Sequence, residues 1–152
     1  MDIDKVREDL KKRDKKIREK AVDQLALAPN LDIVVDLIHV LENDKEGSVR
    51  RRAALALGRI GDEECADALV RAIDTDKDEE TRRNAAIALG NFGDERAILP
   101  LYEFYQSPRK NTFNDNLDRA RVNKALTELS QKKAQCSIEE LVEWCKTRIK
   151  NE

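Results

Sequence analysis

Apolar positions along this chain recur with a period of 32 residues. Three sets of apolar residues share that spacing: Ala21, Ala53 and Ala85; Leu25, Leu57 and Leu89; and Leu37, Leu69 and Leu101. Inside each unit the apolar residues follow the three-to-four-residue spacing of an amphipathic helix. Units of this length that hold a helix pair are typical of solenoids, in which stacked neighbours bury one continuous core. The pattern predicts an all-α fold, an α-solenoid of about four and a half helix pairs.

The period divides the chain into one repeat domain with atypical ends. We expect a single domain over residues 1–152 that consists of an N-terminal cap unit at 1–30, repeats at 31–60, 61–92 and 93–131, and a C-terminal capping helix at 137–150. Ser137 and Glu140 have the spacing of a capping box, which predicts the start of that last helix.

The last repeat contains an insertion. Here the 32-residue period fails, and an offset of 40 restores it, so that Ala85 maps to Ala125. Eight residues have therefore been added near 107–116. Because the segment contains Pro108 and three asparagines, which favour turns, we expect irregular backbone between about Gln106 and Asn116.

Two central segments carry a resemblance to a known family. They are Val49–Asp62, with the sequence VRRRAALALGRIGD, and Thr81–Asp94, with the sequence TRRNAAIALGNFGD. Both look like HEAT-like repeats of the phycobilisome-lyase type, and the resemblance covers roughly residues 15–150. It implies an α-solenoid but no single activity, since similar repeats serve as protein scaffolds, as lyase subunits and, in relatives, as DNA glycosylases and a di-iron hydroxylase.

The resemblance also implies a structural role for an arginine that recurs with the period. Arg18, Arg50 and Arg82 lie 32 residues apart. In HEAT-like repeats the matching arginine pairs with acidic residues of the turns, such as Asp44 and Asp76 here. We therefore expect these five residues to form a structural ladder along the stack.

Composition and charge narrow the function classes. The 29 lysines and arginines nearly balance 31 aspartates and glutamates, and the formal net charge of -2 disfavours a globally basic nucleic-acid binder while leaving local patches open. No apolar run has the length of a membrane span or of a signal peptide, so we expect no membrane partner. Three cysteines in no metal or disulfide spacing fit a reducing cytoplasm.

No set of residues has the pattern of a catalytic or metal site. His39 is the single histidine, so the acid–base and nucleophile pairs that need a second histidine are missing, as are the His–Glu pairs that bind iron in the related hydroxylase. Residues 74–78 resemble the opening of a calcium loop, but Glu79 replaces the required glycine and Ala85 the required glutamate. We expect no catalytic residue, cofactor or metal; a carboxylate-only hydrolase stays open.

The inner face of the solenoid is the predicted binding surface. In HEAT-like stacks the second helix of each pair lines the concave side, and at 100° per residue Arg51 and Leu55 lie opposite the apolar face of their helix. Arginines beside exposed aliphatic residues are typical of protein contacts. The predicted partner-binding residues, which we call the concave stripe, are Arg51, Leu55, Arg83, Ile87, Arg52 and Arg59. The alternative is that Leu55 and Ile87 pack against neighbouring helices.

Three function classes are compatible with these features. The first is a non-catalytic protein-interaction or scaffold module, which binds a protein or peptide of acidic and apolar character on the concave stripe. The second is a nucleic-acid or phosphate-binding module, which the same arginines favour and the net charge of -2 opposes. The third, an accessory subunit of a bilin or other prosthetic-group lyase, rests on the resemblance alone.

Overall fold

The computed structural model describes residues 2–27, 31–61, 63–108, 113–133 and 136–149. Within these ranges the chain forms α-helices and one short 3-10 turn, Glu95–Ala97, and it contains no strand. The helices are α1 (Ile3–Leu10), α2 (Lys15–Leu25), α3 (Leu31–Asn43), α4 (Gly47–Ile60), α5 (Glu63–Thr75), α6 (Glu79–Phe92), α7 (Ile98–Gln106), α8 (Phe113–Lys133) and α9 (Ile138–Ile149). None of the helices described is long and apolar enough to cross a membrane.

The helices form two layers. Each pair, from α1–α2 to α7–α8, packs its two helices side by side, and α9 packs on α7 and α8. The first helices α3 and α5 contact each other, as do α7 and α9, while the second helices α2, α4, α6 and α8 contact one another in sequence order. This arrangement confirms the predicted all-α class and the α-solenoid.

The periodic apolar residues form the core between the layers. Ala21, Ala53 and Ala85 are at most 1% exposed, and Leu25, Leu57 and Leu89 are completely buried. They belong to one continuous cluster that runs from Val6 in α1 to Cys145 in α9. Because aromatic residues are only 4% of the chain, this core consists mainly of aliphatic side chains and alanine, which allow neighbouring helices to approach closely.

The start of α9 follows the predicted capping box. The backbone amide of Ser137 donates to the Glu140 carboxylate at 2.8 Å, and the amide of Glu140 donates to the Ser137 hydroxyl at 3.2 Å. These two reciprocal bonds satisfy amides that the first turn of a helix leaves without partners.

The inserted segment is more helical than its composition predicts. Helix α8 is 21 residues long and begins at Phe113, whereas we expected irregular backbone as far as about Asn116. Arg119, in the second turn of α8, donates to the backbone carbonyls of Tyr105 and Ser107 at the end of α7. These bonds tie α8 to the end of α7, which explains why the helix begins early. Residues 109–112 of the insertion lie outside the described residues.

Candidate functional site

The turns inside successive helix pairs are joined by buried arginines. Arg18 donates from Nε and Nη2 to the two carboxylate oxygens of Asp44, at 2.7 and 3.0 Å. Arg50 binds Asp76 in the same way at 2.7 and 2.7 Å, and also donates to the Asp44 carbonyl. The hydrogen bond to Asp44 raises the pKa of Arg18, and the bond to Asp76 raises the pKa of Arg50. The structure therefore places these four residues in bidentate ion pairs.

The third arginine of the ladder has a different environment. Arg82 donates to the backbone carbonyl of Asp76 at 2.7 Å. The carboxylate partner should follow 26 residues later, as it does for Arg18 and Arg50, but position 108 is a proline. Among the described residues Arg82 consequently has no carboxylate partner, and the ion-paired part of the ladder stops at α5–α6.

The turn that resembles a calcium loop caps α6. Asp78 accepts hydrogen bonds from the backbone amide of Thr81 at 2.9 Å and from its hydroxyl at 2.7 Å. Burial acts to raise the pKa of Asp78, but these hydrogen bonds and the charges of Arg51 and Arg50 together outweigh it, and the pKa is lowered. In the part of the chain that the structure describes, no group of three histidine, cysteine or acidic residues has the geometry of a metal site.

Two of the six residues of the predicted concave stripe are buried. Ile87 is completely buried and Arg83 is only 8% exposed. Arg83 donates to Asp118 of α8 at 2.9 Å, and its guanidinium carbon lies 4.1 Å from the centre of the Phe104 ring in α7. The prediction that these two residues face a partner is therefore wrong, since Arg83 fastens α6 to the last helix pair.

The close packing of successive second helices explains this error. A Cβ atom at Gly58 of α4 would lie 2.4 Å from Cβ of Ala88 in α6, and one at Gly90 would lie 3.0 Å from Cβ of Ala125 in α8. Arg51 shares the face of Gly58 and forms an ion pair with Glu80 of α6. Arg51, Arg83 and Ile87 of the concave stripe thus lie at the contact between one repeat and the next.

The open part of the concave side is a groove whose lining comes from α2, α4, α6 and α8. It has a volume of about 290 Å³. We call it the concave groove; its lining residues are Asp23, Ala26, Arg52, Leu55, Ala56, Gly58, Arg59, Ala88, Asn91 and Arg121. On α4 the lining residues Arg52, Leu55, Ala56 and Arg59 have the spacing of one helix face.

The lining of the concave groove includes residues that the sequence predicted and residues that it did not. It contains Arg52, Leu55 and Arg59 of the concave stripe, together with Asn91 and Arg121, which the sequence reasoning missed. Arg52, Leu55 and Arg59 have the spacing of one helix face, which adjoins the face that Arg51 and Gly58 share. At the offset of 40 Arg121 aligns with Thr81, which is completely buried, so the period did not indicate that Arg121 lines a groove.

The charges of the concave groove are not balanced within it. Its lining holds three arginines and one carboxylate, Asp23, which binds Arg52 at 2.7 Å. Arg121 lies 3.6 Å from Asp118, a carboxylate that Arg83 already binds. Arg59 is exposed and forms no ion pair or hydrogen bond with the residues that the structure describes. The groove therefore presents positive charge beside an apolar floor.

A comparison with protein families agrees with this geometry. The model of HEAT repeats matches residues 3–76 and again residues 34–117, which together are more than half of the chain. The chain belongs to the HEAT-repeat family. No curated protein matches this HEAT-repeat protein. HEAT repeats commonly mediate protein–protein interaction or scaffolding, and the match does not identify the phycobilisome-lyase type, which stays a prediction.

Proposed function

We propose that this HEAT-repeat protein is a non-catalytic interaction module that binds an acidic, partly apolar segment of a partner protein in the concave groove. The observation that supports this most is the charge of the groove, in which three arginines face one carboxylate. Such a surface attracts carboxylates, because a planar guanidinium group donates two parallel hydrogen bonds to a carboxylate.

The apolar floor adds a second requirement on the partner. Leu55 is half-buried on α4, and Ala56 and Ala88 are nearly completely buried beside it. A small aliphatic side chain of the partner, placed between two acidic residues, would bury apolar area on this floor while its neighbours reach the arginines. The partner segment that we propose therefore contains both acidic and small aliphatic side chains.

A nucleic-acid partner fits the concave groove less well. Single-stranded nucleic acids are bound through aromatic side chains on which bases stack, and none of the described residues that line this groove is aromatic. The accessory-lyase hypothesis rests on the sequence resemblance alone, and the residues of the groove do not add support to it.

The proposal is tested by reversing one charge in the groove and one outside it. Arg59→Glu changes an exposed arginine of the groove, and the matched control Arg71→Glu changes an exposed arginine of α5 in the other layer. Arg59→Glu should unfold within about 0.5 kcal/mol of the wild type, as exposed substitutions usually do. Arg71→Glu also breaks an exposed ion pair with Glu42 and should cost about 1 kcal/mol. In affinity capture from native lysate, Arg59→Glu should lose captured protein at least about tenfold, and Arg71→Glu should not.

Two outcomes would contradict the proposal. One is that Arg59→Glu captures the same proteins as the wild type at the same level. The other is that the captured material is nucleic acid, with a steep loss of affinity as salt increases.

A further inference from the structure

A second cavity lies at the N-terminal end of the solenoid, away from the concave groove. It has a volume of about 640 Å³, which is more than twice that of the concave groove and within the usual range of small-molecule sites. We call it the N-terminal dish; it lies between α1, α3 and the turn after each, and its polar rim includes Lys11, Lys12, Arg13, His39, Asn43 and Lys45. We propose that the N-terminal dish binds a compact anion that carries more than one phosphate group.

The first reason is the balance of charge in the lining. Of its twelve residues, six are lysine or arginine and two are aspartate. The adjacent cavity along the same edge, with a volume of about 550 Å³, has four basic and three acidic residues. The positive charge is therefore a property of the N-terminal dish and not of the whole edge.

The second reason is that neither aspartate of the dish neutralises its rim. Arg7 binds Asp36 at 2.7 Å, and Arg18 binds Asp44 at the same distance. Of the other rim cations, Lys11 pairs with Glu8 at 2.8 Å, whereas Lys12, Arg13 and Lys45 form no ion pair with residues in the described ranges. Their charges remain available to a bound anion.

The backbone that carries these cations is held in place. Buried Arg18 donates from Nη1 to the carbonyls of Lys12 and Arg13, at 2.8 and 2.9 Å. In the next turn, the Asp44 carboxylate accepts from the amide of Glu46 at 2.9 Å, which fixes the loop around Lys45. A site on a fixed backbone loses less entropy when it binds a ligand.

His39 supplies a hydrogen-bond donor to the same cavity. The side-chain nitrogen of Asn43 lies 2.9 Å from the His39 carbonyl and 3.2 Å from His39 Nδ1. Because a carbonyl only accepts, the amide nitrogen is the donor, and Nδ1 is the acceptor. The ring proton is consequently on Nε2, where it can donate to an anion.

The position of the cations indicates the kind of anion. Lys12 and Arg13 come from the turn of the first helix pair, whereas Lys45 comes from the turn of the second. One phosphate group is small compared with this cavity and leaves part of the rim without a partner. An anion with several linked phosphates reaches both turns.

The test uses tripolyphosphate as the probe and the single histidine as the reporter. Since the chain has one histidine, its imidazole NMR signal reports on the N-terminal dish alone. At constant pH and ionic strength, tripolyphosphate should shift the signal with saturation, and calorimetry should give one site. Inorganic phosphate should bind at least about tenfold more weakly, because it contacts fewer cations.

The site variant is Lys12→Gln with Lys45→Gln, and the matched control is Lys20→Gln with Lys77→Gln, which removes two exposed lysines elsewhere. The site variant should weaken the tripolyphosphate affinity at least about tenfold while its melting temperature stays near that of the control. The proposal is overturned if the histidine signal does not saturate, if both variants weaken binding equally, or if inorganic phosphate binds as tightly as tripolyphosphate. Tighter binding of a short single-stranded oligonucleotide would equally overturn it.

Discussion

Helices α4 and α6 have similar sequences, but their matching residues contact different parts of the molecule. Leu55 of α4 is half-buried and lines the concave groove, whereas Ile87, at the matching position of α6, is completely buried. On α6, Arg83 binds Asp118 of α8 and packs on the Phe104 ring of α7, whereas Arg51, at the matching position of α4, pairs with the more exposed Glu80 of α6. Equivalent residues of a solenoid thus take their surroundings from the unit that follows.

We expect the largest difference between the two helices when aspartate replaces the apolar residue at each of the matching positions. Ile87→Asp buries a carboxylate in the core and should cost more than about 5 kcal/mol, which abolishes the cooperative unfolding transition. Leu55→Asp should cost about 1 to 2 kcal/mol, because the new carboxylate reaches water from the groove. Chemical denaturation checks both; similar unfolding curves would show that the two positions are equally exposed.

A second pair of variants compares the turn arginines of the same two helices. Arg50→Ala leaves buried Asp76 without its ion pair and should lower the free energy of unfolding by about 3 to 5 kcal/mol. Arg82→Ala removes a bond to a backbone carbonyl and should cost about 1 kcal/mol. Thermal unfolding at neutral pH measures the difference. A loss for Arg82→Ala as large as for Arg50→Ala would indicate a carboxylate partner for Arg82.

The smallest expected difference between the two helices comes from the next arginine of each. Arg83→Ala removes the partner of Asp118, but Arg121 remains 3.6 Å from that carboxylate, so we expect a loss of about 2 kcal/mol. Arg51→Ala breaks a more exposed pair with Glu80 and should cost less than about 1 kcal/mol. Equal shifts of the unfolding midpoint in urea would contradict the assigned difference in burial.

The features that could be predicted from the sequence depend only on spacing within one repeat and on the 32-residue distance between repeats. Ala53 and Leu57 identify the core face of their helix by spacing alone, and the distance of 26 residues from Arg50 to Asp76 repeats that of the preceding unit. The capping box at Ser137 depends only on residues that are close in sequence. Local spacing and the 32-residue period were sufficient for these predictions.

The open face of the groove could not be predicted in the same way. It depends on how closely the second helices approach, and Gly58 and Gly90 set that distance. Each of these glycines lies seven positions after an arginine, Arg51 or Arg83, and so on the same helix face. A glycine at that position indicates that the face contacts another helix. The early start of α8 also depends on a long-range contact, between Arg119 and the end of α7.

Site-directed photocross-linking tests the proposed binding surface most directly. A photoreactive residue at Asn91, which is exposed and lines the concave groove, is compared with one at Glu64, which is exposed on α5 in the other layer. Our account predicts that Asn91 cross-links to a protein with an acidic segment, that Glu64 does not, and that Arg59→Glu removes the Asn91 product. Cross-links from Glu64 alone, or an Asn91 product that persists in Arg59→Glu, would contradict the assignment of the concave groove as the partner site.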